Sequence, residues 1–201
     1  TYSKVTAILE GDEALRREYA HLVPMLEDMK ALAEILMQKR DRRGSIDLDV
    51  REAKIVADGE NIEVSAYERT ISHHIIEEFM ILANETVAEF LAGYELPCVY
   101  RVHEKPSEEK AAGFRAYLQE LGVKADFRPE NVRPGEYGKI LEKLEDGELF
   151  RVVNRVMLRS MSKAKYSAEN GGHFGLASRC YCHFTSPIRR YPDLVVHRLV
   201  K

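Results

Sequence analysis

Between His173 and Arg198 the chain reads HFGLASRCYCHFTSPIRRYPDLVVHR, and most of its side chains able to do chemistry fall there. The centre of that stretch is Thr185-Ser186-Pro187-Ile188-Arg189-Arg190. Serine is a preferred N-cap, and proline suits the first helical position, where its fixed φ fits and its missing N–H would have had no partner. The sequence therefore predicts a helix starting at Ser186, with Arg189 and Arg190 in its first turn, that either kinks at Pro192 or gives way there to a second segment, because Pro192 cannot donate to the carbonyl of Ile188. Two cations at the positive end of a helix dipole are unfavourable unless an anion joins them. Arginine grips phosphate through two parallel hydrogen bonds, so phosphate is the anion that fits. An isolated S-P-x-R-R is more often a poorly optimised surface cap. Here His173, Tyr181, His183, Tyr191, Asp193 and His197 surround it. Rings that stack on bases, beside hydroxyls and guanidinium groups that hold phosphates, suit single-stranded nucleic acid.

The order of these residues resembles the signature of the ribonuclease II (RNB) family, most closely its bacterial members. It runs Gly172-His173-Phe174-Gly175-Leu176, Tyr181, His183-Phe184-Thr185-Ser186-Pro187-Ile188-Arg189-Arg190-Tyr191, Asp193 and His197-Arg198. Two further stretches resemble the same family: Ile76-Glu77-Glu78-Phe79-Met80 through Ala83-Asn84, and Tyr100-Arg101-Val102-His103-Glu104. The resemblance implies a magnesium-dependent exoribonuclease that removes nucleoside 5′-monophosphates from the 3′ end of RNA. It matches Arg189 to the arginine at the cleaved phosphate and Arg190 to its basic neighbour. His173, Tyr181, His183, Thr185, Ser186 and Tyr191 become candidate contacts to single-stranded RNA, and Glu77 or Glu78 the glutamate that helps seat the terminal nucleotide. The family's Mg²⁺ ligands come from an aspartate-rich segment expected before residue 1, so no metal ligand is assigned within this chain.

Composition sets the bounds. The 201 residues are 45% hydrophobic and 31% charged, as in a water-soluble globular domain. No apolar run is long enough to cross a bilayer and the start lacks a signal-peptide pattern, so the cytoplasm is expected, with no membrane contact. Cys98, Cys180 and Cys182 give neither an even disulfide set nor a zinc spacing and are read as reduced thiols. The net charge of −3 hides an asymmetry: residues 151–201 hold ten Lys or Arg against two acids, leaving −11 on the first 150. A local basic footprint is what nucleic acid binding needs, although uneven surface charge is also common.

The positioning elements follow from periodicity. Thr1–Glu10 reads as a short helix, and Asp12 to about Arg40 as one or two more, with a kink or a fresh start near Pro24 and a C-cap at Gly44. Three short strands fit 46–50, 53–57 and 62–66, the last two joined by a turn at Asp58-Gly59. Alternation explains Asp47, Asp49 and Glu52 there as a solvated face more simply than a metal site does. A long helix spans Thr70 or Ser72 to about Ala92, its buried face including Ile75, Ile76, Leu82, Val87, Phe90 and Leu91, with Glu78, Glu85 and Glu89 along a border. A strand at Val99–His103, a helix from Ser107 to Leu121, and helices at Tyr137–Leu144 and Glu148–Lys163 complete the chain before the signature. On the last of these, Arg151, Arg155, Arg159 and Lys163 recur every four residues beside Val152, Val153, Val156 and Met157, which can pack. Either a polyanion or acidic neighbours would compensate such a row.

The expectation is an α+β fold, helix-rich with a short antiparallel meander, forming the C-terminal portion of one RNB-type catalytic domain across residues 1–201. In that reading the chain is a piece of a longer exoribonuclease, supplies the arginine and RNA-binding half of the active site, and is inactive alone. The alternatives are a non-catalytic RNA-binding module and a structural scaffold. No protein partner is assigned.

Overall fold

The computed structural model describes residues 1–46, 53–58, 61–66, 69–144 and 147–201. It forms two compact units, one of Thr1–Met37 with Asp49–Phe79, the other of Gln38–Leu48 with Met80–Lys201. Helices dominate and the strands pair antiparallel in two small sheets, which is the expected fold class. No helix among the described residues is long and apolar enough to cross a membrane.

The first unit opens with α1 (Tyr2–Glu10), whose N-cap Thr1 accepts from Lys4 N and whose chain leaves through Gly11 at φ 100°. Asp12 caps α2 (Glu13–Glu18) by accepting from Leu15 N. Then α3 (Val23–Arg43) begins with Pro24 one residue inside its start, so the proline opens a fresh helix instead of kinking an old one. Ile8, Val23 and Leu26 form the core, with Leu15, Tyr19 and Leu22 packed against them. Strands β1 (Ala53–Asp58) and β2 (Asn61–Ala66) pair from Ala53↔Ala66 to Asp58↔Asn61. Of the expected strand at 46–50, Ile46 is described and lies in no strand, whereas residues 47–50, Glu52 and the turn residue Gly59 lie outside the described residues.

Helix α4 (Ile71–Gly93) corrects the expected burial. Ile76, Leu82 and Phe90 are exposed, and the buried line is Ser72, Ile75, Glu78, Ile81, Asn84, Ala88 and Leu91, at three- and four-residue spacing. Polar residues sit on that line because each finds partners inside the protein, so apolar periodicity alone misplaces the face.

In the second unit, β3 (Tyr100–Val102) is paired with β4 (Lys165–Ser167), a strand too short and too exposed to leave a pattern in the sequence. Ser107 caps α5 (Glu108–Glu120). Helix α6 (Pro134–Glu142) starts three residues before Tyr137 because Pro134 occupies its first position. Helix α7 (Glu148–Ser160) ends three residues before Lys163, its chain turning extended at Met161 while Ser160 Oγ donates to Met157 O at 2.7 Å. Phe114, Phe127 and Tyr137 pack edge and face among Leu118, Val153 and Met157, whereas Val152 is 46% exposed and does not join them. A second cluster of Ala88, Leu91, Cys98, Tyr100, Val102, Cys182 and Val196 lies under the signature segment. Gly44, at φ 87°, is required twice over: it ends α3, and a Cβ there would stand 2.9 Å from Gly135 backbone.

Candidate functional site

From Gly171 to Arg190 the chain forms no helix, and its backbone groups bond to distant segments instead. His103 N donates to Gly172 O, Phe174 N to His103 O, Ile46 N to Gly175 O and Arg101 N to Tyr181 O, all at 2.7–3.0 Å. The packing is close: a Cβ on Gly175 would come within 3.1 Å of the His103 ring, and Gly172 takes φ 68°. The helix expected from Ser186 is a single turn. Arg189 N and Arg190 N both bond to Ser186 O, but Pro192 has no N–H for the carbonyl of Ile188, so the turn stops and α8 (Tyr191–Val200) starts afresh. Arg190 is thereby the residue before the helix, and Arg189 stands outside it.

Asp193, in the first turn of α8 and fully buried, fixes this geometry. Its Oδ1 accepts from Ser186 N at 2.7 Å and from the Arg190 guanidinium at 2.8 Å. Arg190 is thus committed to the protein through one nitrogen, while its Nε is buried without a hydrogen-bond partner. Arg189 is exposed, and among the described residues no acceptor holds its guanidinium. Thr185 Oγ1, next to the turn, also lacks a partner. Tyr191 is 71% exposed at the mouth of α8.

The aromatic candidates form a connected line. His103 meets His173 edge-on with centroids 5.0 Å apart, His173 meets Tyr181 at 5.2 Å, Tyr181 meets His183 at 5.9 Å, and His183 meets Tyr166 at 5.6 Å. Tyr166 OH and His183 Nδ1 share a 2.8 Å hydrogen bond, and Arg101 lies over the Tyr166 ring. Burial, then His103 and the Arg101 charge, push His173 down to about 3. Burial and Arg190 push His183 down to about 4 against the opposing pull of Asp193. Both rings are neutral at pH 7, offering hydrogen bonds and faces without charge. His173 Nδ1 accepts from Leu176 N, which leaves the proton of the neutral ring on Nε2. Burial likewise raises the Tyr181 hydroxyl, so it stays a phenol.

Asn84 of α4 ties the rings to the turn, a role its place in a helical pattern hid. Its Nδ2 donates to Tyr181 OH at 3.0 Å, and its Oδ1 accepts from Phe184 N at 2.9 Å and Thr185 N at 3.3 Å. Its signals in sequence are its place in the stretch from Ile76 to Asn84 that resembles the family and an asparagine at core spacing, which must find partners when buried. Tyr166, Arg101 and His103 also join the site without having been singled out as contacts. Beyond the turn, His197 stacks on Phe184 with centroids 4.0 Å apart and bonds to its carbonyl.

Glu77 and Glu78 belong to the first unit. Glu78 is buried, whereas Glu77 is partly exposed and pairs with Arg69. Among the described residues no group of three His, Cys, Asp or Glu could hold a metal ion. What the turn can do chemically is present one fixed and one free guanidinium to an anion, beside neutral rings.

The family model described as RNB domain matches residues 1–201. Ribonuclease R of Aquifex aeolicus is 48% identical over 203 residues, which cover 100% of this chain and 29% of that protein. The structure of Mycoplasma genitalium RNase R in complex with ribose methylated single-stranded RNA matches with a TM-score of 0.90 at 30% identity, over 100% of this chain and 31% of that one. Yeast Ssd1, a pseudonuclease, matches with a TM-score of 0.59 at 30% identity, over 67% of this chain and 17% of that one. The chain therefore spans less than a third of the length of these relatives.

Proposed function

The chain belongs to the RNB domain family, and from that premise we propose that it supplies the arginine-bearing, RNA-holding half of the active site of a 3′-to-5′ exoribonuclease that releases nucleoside 5′-monophosphates in the cytoplasm. One observation carries the reading: a rigid turn whose neighbouring arginine is anchored to buried Asp193 leaves the Arg189 guanidinium exposed and without an acceptor among the described residues. A preset cation aimed at developing negative charge stabilises a transition state without reorganising. Arg189 takes the scissile phosphate, and Arg190, steadied by Asp193, adds a second positive charge beside it.

Thr185, Ser186 and Tyr191 hold the RNA backbone near the turn. His173, Tyr181 and His183, kept neutral by burial, shape the wall along which single-stranded RNA lies. Of the two glutamates, Glu77 meets RNA, because its side chain reaches the surface and that of Glu78 does not. The Mg²⁺ ions of the reaction are assigned to ligands in the part of the relatives' length that this chain does not match, and no step here runs through them.

The test is a 3′-exonuclease assay on single-stranded RNA with Mg²⁺, using the full-length protein that contains this chain. Arg189→Ala should lower kcat by roughly 10²–10³ while RNA affinity changes far less. Equal loss of both would remove Arg189 from the reaction. The likeness to a pseudonuclease favours a second reading, a module that binds RNA without cutting it; RNA binding without monophosphate release by the unsubstituted protein would establish that one.

A further inference from the structure

Helix α7 places Arg151, Arg155 and Arg159 four residues apart. Each step advances roughly 6 Å along the axis and about 40° around it, so the three form a shallow stripe roughly 12 Å long. Val153, Asn154, Met157 and Ser160 are buried on the opposite side, and all three arginines are exposed. Lys163, beyond the end of the helix, is exposed as well.

A row of like charges at this spacing opposes its own helix. Acidic neighbours would cancel that, and elsewhere in the same unit they do: Glu104 takes up Lys165 at 2.7 Å and Glu85 takes up Arg43 at 2.7 Å. Among the described residues no carboxylate pairs with Arg151, Arg155 or Arg159. Val152, beside the stripe, is exposed, and Glu148 opens the helix three residues before Arg151. A partner outside the chain whose negative charges repeat in a line would compensate the whole row.

We infer that the outer face of α7 is a contact for the phosphate backbone of single-stranded RNA, independent of base sequence. The inference deepens the proposed function and rests on it. RNA is favoured over an acidic protein surface because a strand's phosphates recur at a regular interval, as the guanidinium groups do, and because the row lies in the same basic stretch, residues 151–201, as the arginine turn. Each phosphate neutralised by a cation releases counterions, so the signature of such a contact is salt dependence.

The experiment measures binding of the full-length protein to a 20-nucleotide oligouridylate in EDTA across a salt series. The triple variant Arg151→Gln, Arg155→Gln, Arg159→Gln should flatten the slope of log affinity against log salt by about 2, at roughly 0.7 per phosphate contact on a single strand. The corresponding triple Lys variant should keep the parental slope. Thermal melts of both confirm folding, which Gln and Lys favour in a helix about as well as Arg. An unchanged slope in the folded Gln variant overturns the inference, as does its loss of a bound acidic protein in place of RNA. If the unsubstituted protein neither binds nor cleaves RNA, the proposed function fails with it; if it does both and only the slope is indifferent to the substitutions, the α7 contact alone fails.

Discussion

Arg189 and Arg155 both end in exposed guanidinium groups, yet the backbone under each is held differently. Arg155 sits in mid-helix, where every backbone bond closes within four residues and the side chain's direction follows from 3.6-residue geometry. Arg189 sits on a turn at the end of a twenty-residue irregular segment whose backbone groups are satisfied by Ile46, Arg101, His103 and the side chains of Asn84 and Asp193. A helix can present a row of charges but only at its own fixed spacing. A segment tied to distant partners can set one group at one place, and it depends on every tie.

Acid should separate the two regions most strongly. His173 and His183 titrate near 3 and 4 in the folded chain, against about 6.5 when free. The unfolded chain therefore takes up protons first. The stability these neutral rings contribute is complete above about pH 6.5 and is lost progressively as pH falls towards 4 and 3. Hydrogen exchange, corrected for intrinsic rates, should show amides in 171–190 losing protection between pH 6.5 and 4 while those of α7, which has no histidine, hold theirs. Parallel loss in both regions would mean that the segment does not open on its own.

The next effect belongs to Asn84. Asn84→Ala removes the acceptor of Phe184 N and Thr185 N and the donor to Tyr181 OH, all with side chains or backbone turned inward. Leaving such groups unpaired should destabilise the unit by about 2–3 kcal/mol, read as a lower urea midpoint at neutral pH. A loss under about 1 kcal/mol would show that water replaces the asparagine, and that the turn is held by Asp193 alone.

What could be read in the sequence divides along the same line. The helices carry their own caps and spacing, so α1, α5 and the run of arginines on α7 are visible in the residues, with ends misplaced by three where Pro134 and Ser160 decide locally. The chemistry of the signature is visible too, as residue types in order. Its geometry is visible only in part: Pro192 already marks the place where the helix from Ser186 breaks and α8 starts afresh, but neither Asn84 nor Tyr166 shows its partner, since the bonds that matter join residues 84 to 184 and 166 to 183. The exposed Ile76, Leu82 and Phe90 were misplaced for a related reason, because buried Glu78 and Asn84 take core positions that apolar spacing assigns to others.

The smallest effect is also the sharpest test of the contrast, because its sign should be opposite. Arg155 has a like charge four residues away on each side, Arg151 and Arg159, each such pair opposing the helix by roughly 0.2–0.5 kcal/mol. Arg155→Gln removes both repulsions at nearly equal helix propensity, so in the absence of RNA it should stabilise the protein by about 0.5 kcal/mol at low ionic strength. The gain should fade in molar salt, where charges are screened within about 3 Å. A substitution that raises stability while weakening RNA binding marks a residue kept for its partner and not for its fold. Destabilisation would instead reveal an acceptor for Arg155 within the chain, return the row to ordinary surface pairing, and leave the arginine turn as the single basic feature with an RNA role.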